Sequence, residues 1–243
     1  MKVSICCLIY KSLPWLEFVY RQLQAYTDLA GREFFFVAND ATPEVLASLR
    51  QRAIPHYIHH NSAAQQSEWF INNVYRAYNC GASKAQEDFL VFINSDMAFS
   101  PNWLTHLTQA YNGNNCLTSR LVESGRLASG QYGIERDFGT NYSNYREADF
   151  LAFCQRTAAP QVREGGLYMP LLIHREAFLK VGGYPEGNVR QGSDLFTPVV
   201  AQPGEPCVTG DLALMRKLSS LGIIHQTVFN SLVYHFQRGE SDF

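Results

Sequence analysis

Asp96 is the side chain whose place in the sequence first suggests chemistry. It follows the apolar run Phe89–Ile93, which is typical of a strand buried on both faces of a parallel sheet. Ligands of open α/β sheets bind at the carboxyl ends of such strands. A carboxylate at that position could therefore hold a divalent cation, which would in turn bind phosphate oxygens. The alternative is that Asp96 only satisfies backbone groups of a turn.

Two other apolar runs also end in polar residues. Val3–Ile9 is followed by Tyr10, and Phe34–Ala38 is followed closely by Asp40. Because the carboxyl ends of parallel strands share one edge of a sheet, we expect these side chains to converge with Asp96. The simpler alternatives are a half-buried aromatic ring for Tyr10 and an Asx turn for Asp40.

Stretches with helical periodicity separate these strands. The alternation predicts an α/β fold in which helices cover both faces of a mostly parallel sheet. Ser100 and Thr42 each precede a proline and so predict helix starts. The predicted helices of this half are Pro14–Tyr26, Pro43–Arg52, Ser67–Lys84 and Pro101–Tyr111, and His56–His60 is a weaker third strand.

Residues 112–243 show less regular periodicity. Residues 184–209 are rich in Pro and Gly, which favours a lid or a binding loop. Asn144 and Glu147 resemble a capping box for a helix that continues to Gln155. The other elements predicted here are strands Leu117–Val122, Leu167–Ile173 and Ile223–Tyr234, and helices Arg175–Val181 and Asp211–Leu221.

Composition excludes several classes of protein. The chain has 243 residues, of which 46% are hydrophobic and 17% charged, so it is globular rather than disordered. Its formal net charge is -2 and it has no run of Lys or Arg, which argues against nucleic acid as the main partner. The six cysteines form no C-x-x-C pair, as expected for a reduced cytoplasmic protein. No apolar run is long enough to span a bilayer, although peripheral attachment to a membrane stays open.

Several segments, in order along the chain, resemble the motifs of family 2 glycosyltransferases, which transfer sugars from nucleotide diphosphates. The first two pairs of strand and helix resemble those of the family, and the block around Asp96 resembles its metal-binding turn. Later segments resemble the acceptor-side block and the helix that carries the catalytic acid. The segments are VSICCLIYKS with WLEFVYRQL, FFFVANDATPEVLASL, YNCGASKAQEDFLVFINSDMAFSPNWL, LLIHREAFLKVGGYPEG and TGDLALMRKLSSLG, and they cover most of the chain.

The resemblance implies a GT-A fold, which is Rossmann-like with a mostly parallel sheet flanked by helices. It implies one domain over residues 1–243. Residues 1–111 would form the nucleotide-binding half, and residues 112–243 the acceptor-binding and catalytic half. The expected activity is that of an inverting hexosyltransferase that uses a nucleotide sugar, with UDP as the expected nucleotide. The acceptor would be a glycan, a lipid-linked compound or another hydroxyl compound.

The resemblance also implies roles for residues that bind the donor. Asp40 would accept a hydrogen bond from the uracil base, and Tyr10 would line the base pocket. Asn79 and Asn94 would contact the nucleotide. Asp96 and His235 would hold Mn²⁺ or Mg²⁺, and an imidazole ligand suits Mn²⁺ better. A histidine that is merely capped at a strand end is the alternative for His235.

Further roles concern the reaction and the pockets around it. Asp211 would be the general base that removes a proton from the attacking hydroxyl. Its alternative role is that of an acid in a first helical turn, which the helix dipole favours. The residues expected around the sugar or the acceptor are Trp103, Gly183, Tyr184 and Arg238, of which Arg238 could instead bind a phosphate.

Two positions depart from the family pattern. Asn94 stands where the family's metal-binding turn has its first acid, which removes one negative charge and should weaken metal binding. Gly210 stands where the family has a glutamate before the catalytic aspartate. A nucleotide-sugar-binding relative without catalytic activity is therefore the second hypothesis. A sugar nucleotidyltransferase ranks last, because the segment 10–14 after the first strand lacks the glycines of a phosphate loop.

Overall fold

One curved sheet, with helices against both of its faces, dominates the computed structural model, which describes residues 1–240. The strands are β1 (Val3–Ile9), β2 (Glu33–Asn39), β3 (His56–His59), β4 (Phe89–Asn94), β5 (Met97–Phe99), β6 (Asn115–Glu123), β7 (Ile134–Glu135), β8 (Val162–Glu164), β9 (Leu171–His174), β10 (Val189–Arg190), β11 (Cys207–Val208) and β12 (Ile224–His235). The helices are α1 (Leu13–Tyr26), α2 (Pro43–Gln51), α3 (Ala63–Gln66), α4 (Phe70–Lys84), α5 (Trp103–Gln109), α6 (Glu147–Thr157), α7 (Arg175–Lys180) and α8 (Gly210–Ser219).

The strands follow the order β3-β2-β1-β4-β9-β6-β12-β5. The first four are parallel to one another, as are β6 and β12. Strand β9 is antiparallel to both of its neighbours, β4 and β6. It joins strands from the two predicted halves of the chain in one sheet. The predicted α/β fold with a mostly parallel sheet is therefore confirmed, while the predicted domain of residues 1–243 extends beyond the described residues and stays a prediction.

Alternation along β1 shows why helices must cover both faces of the sheet. Ile5 and Cys7 point into one buried cluster, whereas Cys6 and Leu8 point into another. Helices α1 and α5 pack into the first cluster, and α4, α7 and α8 pack into the second. A strand that buries both of its faces has few polar positions, and the sequence of β1 is accordingly apolar except at Ser4.

The starts of the first two helices agree with their sequence signals. Ser12 accepts a hydrogen bond from the N–H of Trp15 at the start of α1. Thr42 accepts one from the N–H of Val45 at the start of α2, and Pro43 occupies the first turn as predicted. Each cap satisfies a backbone donor that the helix leaves unpaired.

The predicted helix start at Ser100 is wrong. The chain first forms the short strand β5, which pairs antiparallel with β12, and α5 begins only at Trp103. Ser100 is buried, and its N–H donates to the carbonyl of Leu232 on β12. Asn102 has a φ of 62° and interrupts the helical geometry after Pro101, so the helix starts two residues later than predicted.

Two predictions in the second half are also corrected. Asn144 does not cap α6, because it belongs to a 3₁₀ turn (Tyr142–Asn144) that Asn141 caps. Helix α6 begins at Glu147 without a side-chain cap. The strand predicted over Leu167–Ile173 is shorter, since only Leu171–His174 pairs with β4 and β6. Among residues 1–240, no helix combines the length and apolar character needed to cross a bilayer.

Candidate active site

A cavity of about 380 Å³ opens where β1, β2 and β4 end. Tyr10 follows β1, Asn39 ends β2, and Asn94 ends β4, with Ser95 and Asp96 next to it. The remaining walls come from the end of β1, the first two turns of α4, the segment after β6 and the segment after β12. These remaining lining residues are Leu8, Ile9, Phe70, Ile71, Val74, Leu127, Arg238, Gly239 and Glu240.

One wall of this cavity is aromatic and partly open to solvent. The Tyr10 and Phe70 rings meet edge to face, with their centroids 5.4 Å apart. Phe70 and Leu127 each expose 45% of their surface, which is unusual for large apolar side chains. Lys11 places its Nζ 4.6 Å from the Tyr10 ring centroid. Such a wall offers flat apolar surface on which a base or a sugar ring can stack.

Asp96 faces His235 across the cavity edge. The Nε2 atom of His235 lies 3.4 Å from Oδ2 of Asp96, and its Nδ1 lies 3.1 Å from Oε1 of Glu123. Burial opposes protonation of His235, but the charges of Asp96 and Glu123 outweigh it and raise the pKa to about 10. Burial likewise opposes ionisation of Asp96, yet His235 and the Gly239 N–H hold the pKa of Asp96 below its usual range.

Asp96 and His235 could supply some of the ligands that a divalent cation needs. Glu123 engages one ring nitrogen of His235 and leaves the other turned toward Asp96, as in the carboxylate–histidine pairs that orient metal ligands. Within residues 1–240, no group of three or more His, Cys, Asp and Glu side chains is placed to hold a metal ion. A cation at Asp96 and His235 would therefore complete its coordination with ligand oxygens and water.

Glu240 was not predicted, and it closes one side of the cavity. Its carboxylate accepts hydrogen bonds of 2.8 Å from the backbone N–H groups of Tyr10 and Ser12 and from the Ser95 hydroxyl. Burial raises the pKa of Glu240 to about 7, although these hydrogen bonds oppose the rise. No local pattern in the sequence marks a contact that joins residues more than two hundred positions apart.

Asp211 lies outside the cavity wall, in the first turn of α8. Its Oδ2 accepts a 2.9 Å hydrogen bond from the Tyr75 hydroxyl, and its N–H donates to the same hydroxyl at 3.2 Å. Burial raises the pKa of Asp211 to about 6, although the Tyr75 hydrogen bond opposes the rise. A carboxylate with a pKa near neutrality is suited to accept a proton during a reaction.

Tyr78 connects the surroundings of Asp211 with the cavity. Its hydroxyl donates to Oδ1 of Asn94, and its ring lies 5.7 Å from that of Tyr184. Burial raises the pKa of Tyr78 well above its usual range, and the charges of Asp211 and Asp96 both add to the rise. The phenol of Tyr78 is therefore within electrostatic reach of both acids.

The carboxylate of Asp40 fixes the segment that contains Asn61 and Gln66. Its carboxylate accepts hydrogen bonds from the backbone N–H of Asn61, from the Asn61 side chain and from Gln66. Its backbone has a φ of 49°, and only 7% of its side chain is exposed. The adjacent Asn39, which was not predicted, lines the cavity instead. The predicted contact between Asp40 and a base stays a prediction.

Asn79 also lies outside the cavity wall. Its amide pairs with the backbone of Tyr184, donating to the carbonyl and accepting from the N–H at 2.9 Å each. Gly183 has a φ of 64°, and its carbonyl accepts a hydrogen bond from the buried Lys217. Tyr184 is itself 1% exposed. These residues fix the turn after α7 and do not line the cavity. Arg238, another of the predicted pocket residues, does line it.

Trp103 corrects one expectation. It is completely buried, it stacks on Phe99 with ring centroids 4.6 Å apart, and its Nε1 donates to the Thr27 hydroxyl. The side chain belongs to the core between α1 and α5 and has no surface left for a sugar or an acceptor. The ring points into the core, where its partners are Phe99 and the buried Thr27 directly after α1.

Comparison with known proteins agrees with this fold. The model of the glycosyl transferase family 2 matches residues 37–157, about half of the chain. The chain belongs to this family and has the GT-A fold. A search of curated proteins finds no significant match to this sequence.

Three solved structures illustrate the likeness in fold. Residues 1–349 of TarS from S. aureus superpose with a TM-score of 0.59 at 10% identity, covering 97% of this chain and 60% of that one. GalNAc-T7 with UDP, GalNAc and Mn²⁺ gives 0.60 at 16% identity, with 97% and 44% covered. The mannosyltransferase PcManGT from Pyrobaculum calidifontis, in complex with GDP-Man and Mn²⁺, gives 0.58 at 14% identity, with 98% and 58% covered. The chain thus spans between 44% and 60% of the length of these proteins.

Proposed function

We propose that this chain transfers a sugar from a nucleotide diphosphate to a hydroxyl acceptor with inversion at the sugar carbon. The observation that carries the proposal is the cavity at the ends of β1, β2 and β4, where Asp96 faces His235 below an aromatic wall. Two of the solved structures that share the fold contain related ligands, one UDP together with GalNAc and the other the nucleotide sugar GDP-Man. UDP is the proposed nucleotide here, in accord with the resemblance of the strand ends.

The base of the nucleotide would stack on the wall formed by Tyr10 and Phe70. The diphosphate would then extend toward Asp96. Asp96 and His235 would hold Mn²⁺ or Mg²⁺, with Glu123 keeping His235 in place. When bound, such a cation neutralises charge that develops on the departing diphosphate. Arg238 lines the same cavity and can add a second positive charge near the phosphates.

Asp211 would act as the general base. Its carboxylate takes the proton of the acceptor hydroxyl while that oxygen attacks the sugar carbon. The new bond forms as the bond between the sugar and the diphosphate breaks, and the electron pair of the broken bond leaves with the nucleotide. Attack from the face opposite the leaving group inverts the configuration of that carbon. The acceptor is a glycan, a lipid-linked compound or another hydroxyl compound.

A binding relative without catalysis is the second candidate. The observation in its favour is that Asp211 does not line the cavity, while Asn94 brings no charge to it. Calorimetry with UDP-sugars and GDP-sugars, with and without Mn²⁺, tests the shared part of both candidates. Transfer of a sugar to any acceptor in a screened panel then separates them, because the second candidate binds donors without turnover.

The aromatic wall gives the first testable prediction. Phe70→Ala should weaken UDP binding by about 1–3 kcal/mol, the usual contribution of stacking between a base and an aromatic ring. Phe196→Ala is the matched control, because Phe196 is also an exposed phenylalanine, at 56%, but does not line the cavity. Calorimetry of both variants measures the effect. Equal affinity of Phe70→Ala and the unsubstituted protein would place the base elsewhere.

The second prediction concerns Asn94, which stands where the family's metal-binding turn has an acid. Asn94→Asp should tighten Mn²⁺ binding about tenfold or more, because two unit charges 4 Å apart interact by about 4 kcal/mol near a protein surface before screening. Asn39→Asp adds the same charge at another point of the cavity and should act less. Titration with Mn²⁺ in the presence of UDP compares the two variants. If both tighten binding equally, Asn94 is not adjacent to the cation.

A further inference from the structure

The backbone conformation of Gly210 does not require a glycine. Its φ is not among the positive values of this chain, so other residues could adopt its conformation. The lack of space for a side chain at this position is what favours glycine. A Cβ atom placed on Gly210 would lie less than 3.0 Å from the Cε2, Cζ and Cδ2 atoms of the Tyr75 ring. The ring of Tyr75 thus occupies the volume that a side chain at position 210 would need.

Tyr75 cannot easily move out of this volume. It is 1% exposed, and it stacks on Tyr184 with centroids 5.0 Å apart and ring planes 14° from parallel. The backbone of Tyr184 is fixed in turn by the amide of Asn79. A side chain at position 210 would therefore have to displace a stacked, buried ring, and such overpacking is costly.

The Tyr75 hydroxyl makes two hydrogen bonds to one residue. It donates to Oδ2 of Asp211 at 2.9 Å and accepts from the N–H of Asp211 at 3.2 Å. This fixes both the backbone and one carboxylate oxygen of Asp211. Among residues 1–240, no other residue donates a hydrogen bond to the second carboxylate oxygen, Oδ1.

We propose that Tyr75 is the positioning residue of Asp211 and that Tyr75 and Gly210 form a matched pair, in which the phenol takes the place of an acid beside Asp211. The first part rests on the proposed function, in which Asp211 is the base. The second part is steric and does not depend on it. The pair accounts for the departure of Gly210 from the family pattern.

Four tyrosines surround Asp211, and the charge of Arg216 on α8 also acts on one of them, Tyr168. Tyr75 and Tyr78 approach from α4, Tyr184 from the turn after α7, and Tyr168 from the segment before β9. Burial raises the pKa of each of these tyrosines, and the charge of Asp211 adds to the rise, so all four stay protonated. The Tyr75 hydroxyl thus remains a donor to Asp211 throughout the working pH range.

Tyr75→Phe tests the positioning role without requiring turnover. The substitution removes a hydrogen bond that favours the charged form of Asp211, so the pKa of Asp211 should rise from about 6 by about one unit. Carboxyl ¹³C NMR titration of labelled aspartate measures this shift. Tyr184→Phe is the matched control, since the buried Tyr184 hydroxyl has no hydrogen-bond partner among the described residues and its loss should leave the titration unchanged.

The pH profile of transfer provides the second readout. With Tyr75→Phe, the acid limb should move to higher pH by the same amount, so activity falls about fivefold near pH 6 and hardly at all above pH 8. Tyr184→Phe should keep the original limb. An unshifted Asp211 titration and profile in Tyr75→Phe would overturn the positioning role.

The steric pairing is tested by thermal melts of a double-mutant cycle. Gly210→Ala should lower the Tm when Tyr75 is present, because the added methyl group meets the ring. In the Tyr75→Ala background the same substitution should be neutral or favourable, since the ring is gone and Ala is the better helix former. An equal effect in both backgrounds would overturn the pairing. Full transfer activity of Asp211→Asn would instead overturn the proposed role of Asp211 as the base, and it leaves the outcome of the melts unchanged.

Discussion

Asp211→Asn should lose about 10²–10⁴-fold in turnover while still binding the donor. The amide keeps the size of the carboxylate and can still contact the Tyr75 hydroxyl, but it cannot accept a proton from the acceptor hydroxyl. The expected loss is the usual contribution of general base catalysis. The donor KM should barely change, because the lost interaction belongs to the transition state rather than to the bound donor. Rates with an acceptor found by screening, together with donor calorimetry, measure both quantities.

Asp149→Asn is the matched control for this variant. Asp149 also lies in the first turn of a helix, α6, but 66% of its side chain is exposed and it pairs with Arg146. Its substitution should leave turnover unchanged. Full turnover in Asp211→Asn would show that the base lies elsewhere. Loss of donor binding in Asp211→Asn would show that the acid supports the fold of the site rather than the chemistry.

The same substitution should stabilise the protein above pH 7. The pKa of Asp211 is about 6 in the folded state against an ordinary value of 3.8, so its charge opposes folding. A group with a raised folded pKa stabilises below its unfolded pKa, and this contribution is lost as the pH rises through the folded value. The difference corresponds to roughly 3 kcal/mol at most, which exceeds the 0.3–1 kcal/mol of a helix dipole.

Melts as a function of pH therefore distinguish Asp211 from its control. Asp211→Asn should gain stability between pH 4 and pH 7, where the unsubstituted carboxyl ionises at increasing cost. Asp149→Asn should lose a few tenths of a kcal/mol, because its exposed charge only favours the helix N-terminus. A loss of stability in Asp211→Asn at pH 8 would contradict the burial of its charge.

The elements that the sequence predicts well are those that carry their own signal. Strand β1 is apolar except at Ser4 and β4 is apolar up to its last residue, and the starts of α1 and α2 are capped locally by the side chains of Ser12 and Thr42. Strand β5 carries no such signal. It is three residues long and exists because β12 pairs with it from more than a hundred residues away. The helix predicted to start at Pro101 does form, two residues later at Trp103, directly after this unpredicted strand.

The site shows the same division between local and distant determinants. Tyr10, Asn94 and Asp96 line the cavity because strand ends meet at one edge of the sheet, which alternation of strands and helices already implies. The partners that tune them come from remote parts of the chain. Glu240 binds the end of β1, and Tyr75 reaches Asp211 across 136 residues. Contacts of this kind leave no periodic trace in a single sequence, so the structure is needed to find them.

Asp96→Asn should abolish most of the benefit of a divalent cation. The substitution keeps an oxygen for the Gly239 N–H but removes the charge that faces His235. A metal ion at such a site stabilises the transition state by several kcal/mol, so turnover with Mn²⁺ should fall about 10²–10³-fold. Mn²⁺ should also no longer strengthen UDP binding in calorimetry.

Glu123→Gln provides a graded comparison for Asp96→Asn. Glu123 holds the far nitrogen of His235, so its loss should weaken Mn²⁺ binding by about 10–100-fold through a misoriented ring. Both variants disturb the same buried histidine, and their melting temperatures show how much of each effect is structural. Metal affinity should therefore decrease from the unsubstituted protein to Glu123→Gln and further to Asp96→Asn. Mn²⁺ stimulation that survives in Asp96→Asn but not in Glu123→Gln would place the cation on the Glu123 side of His235, away from the cavity.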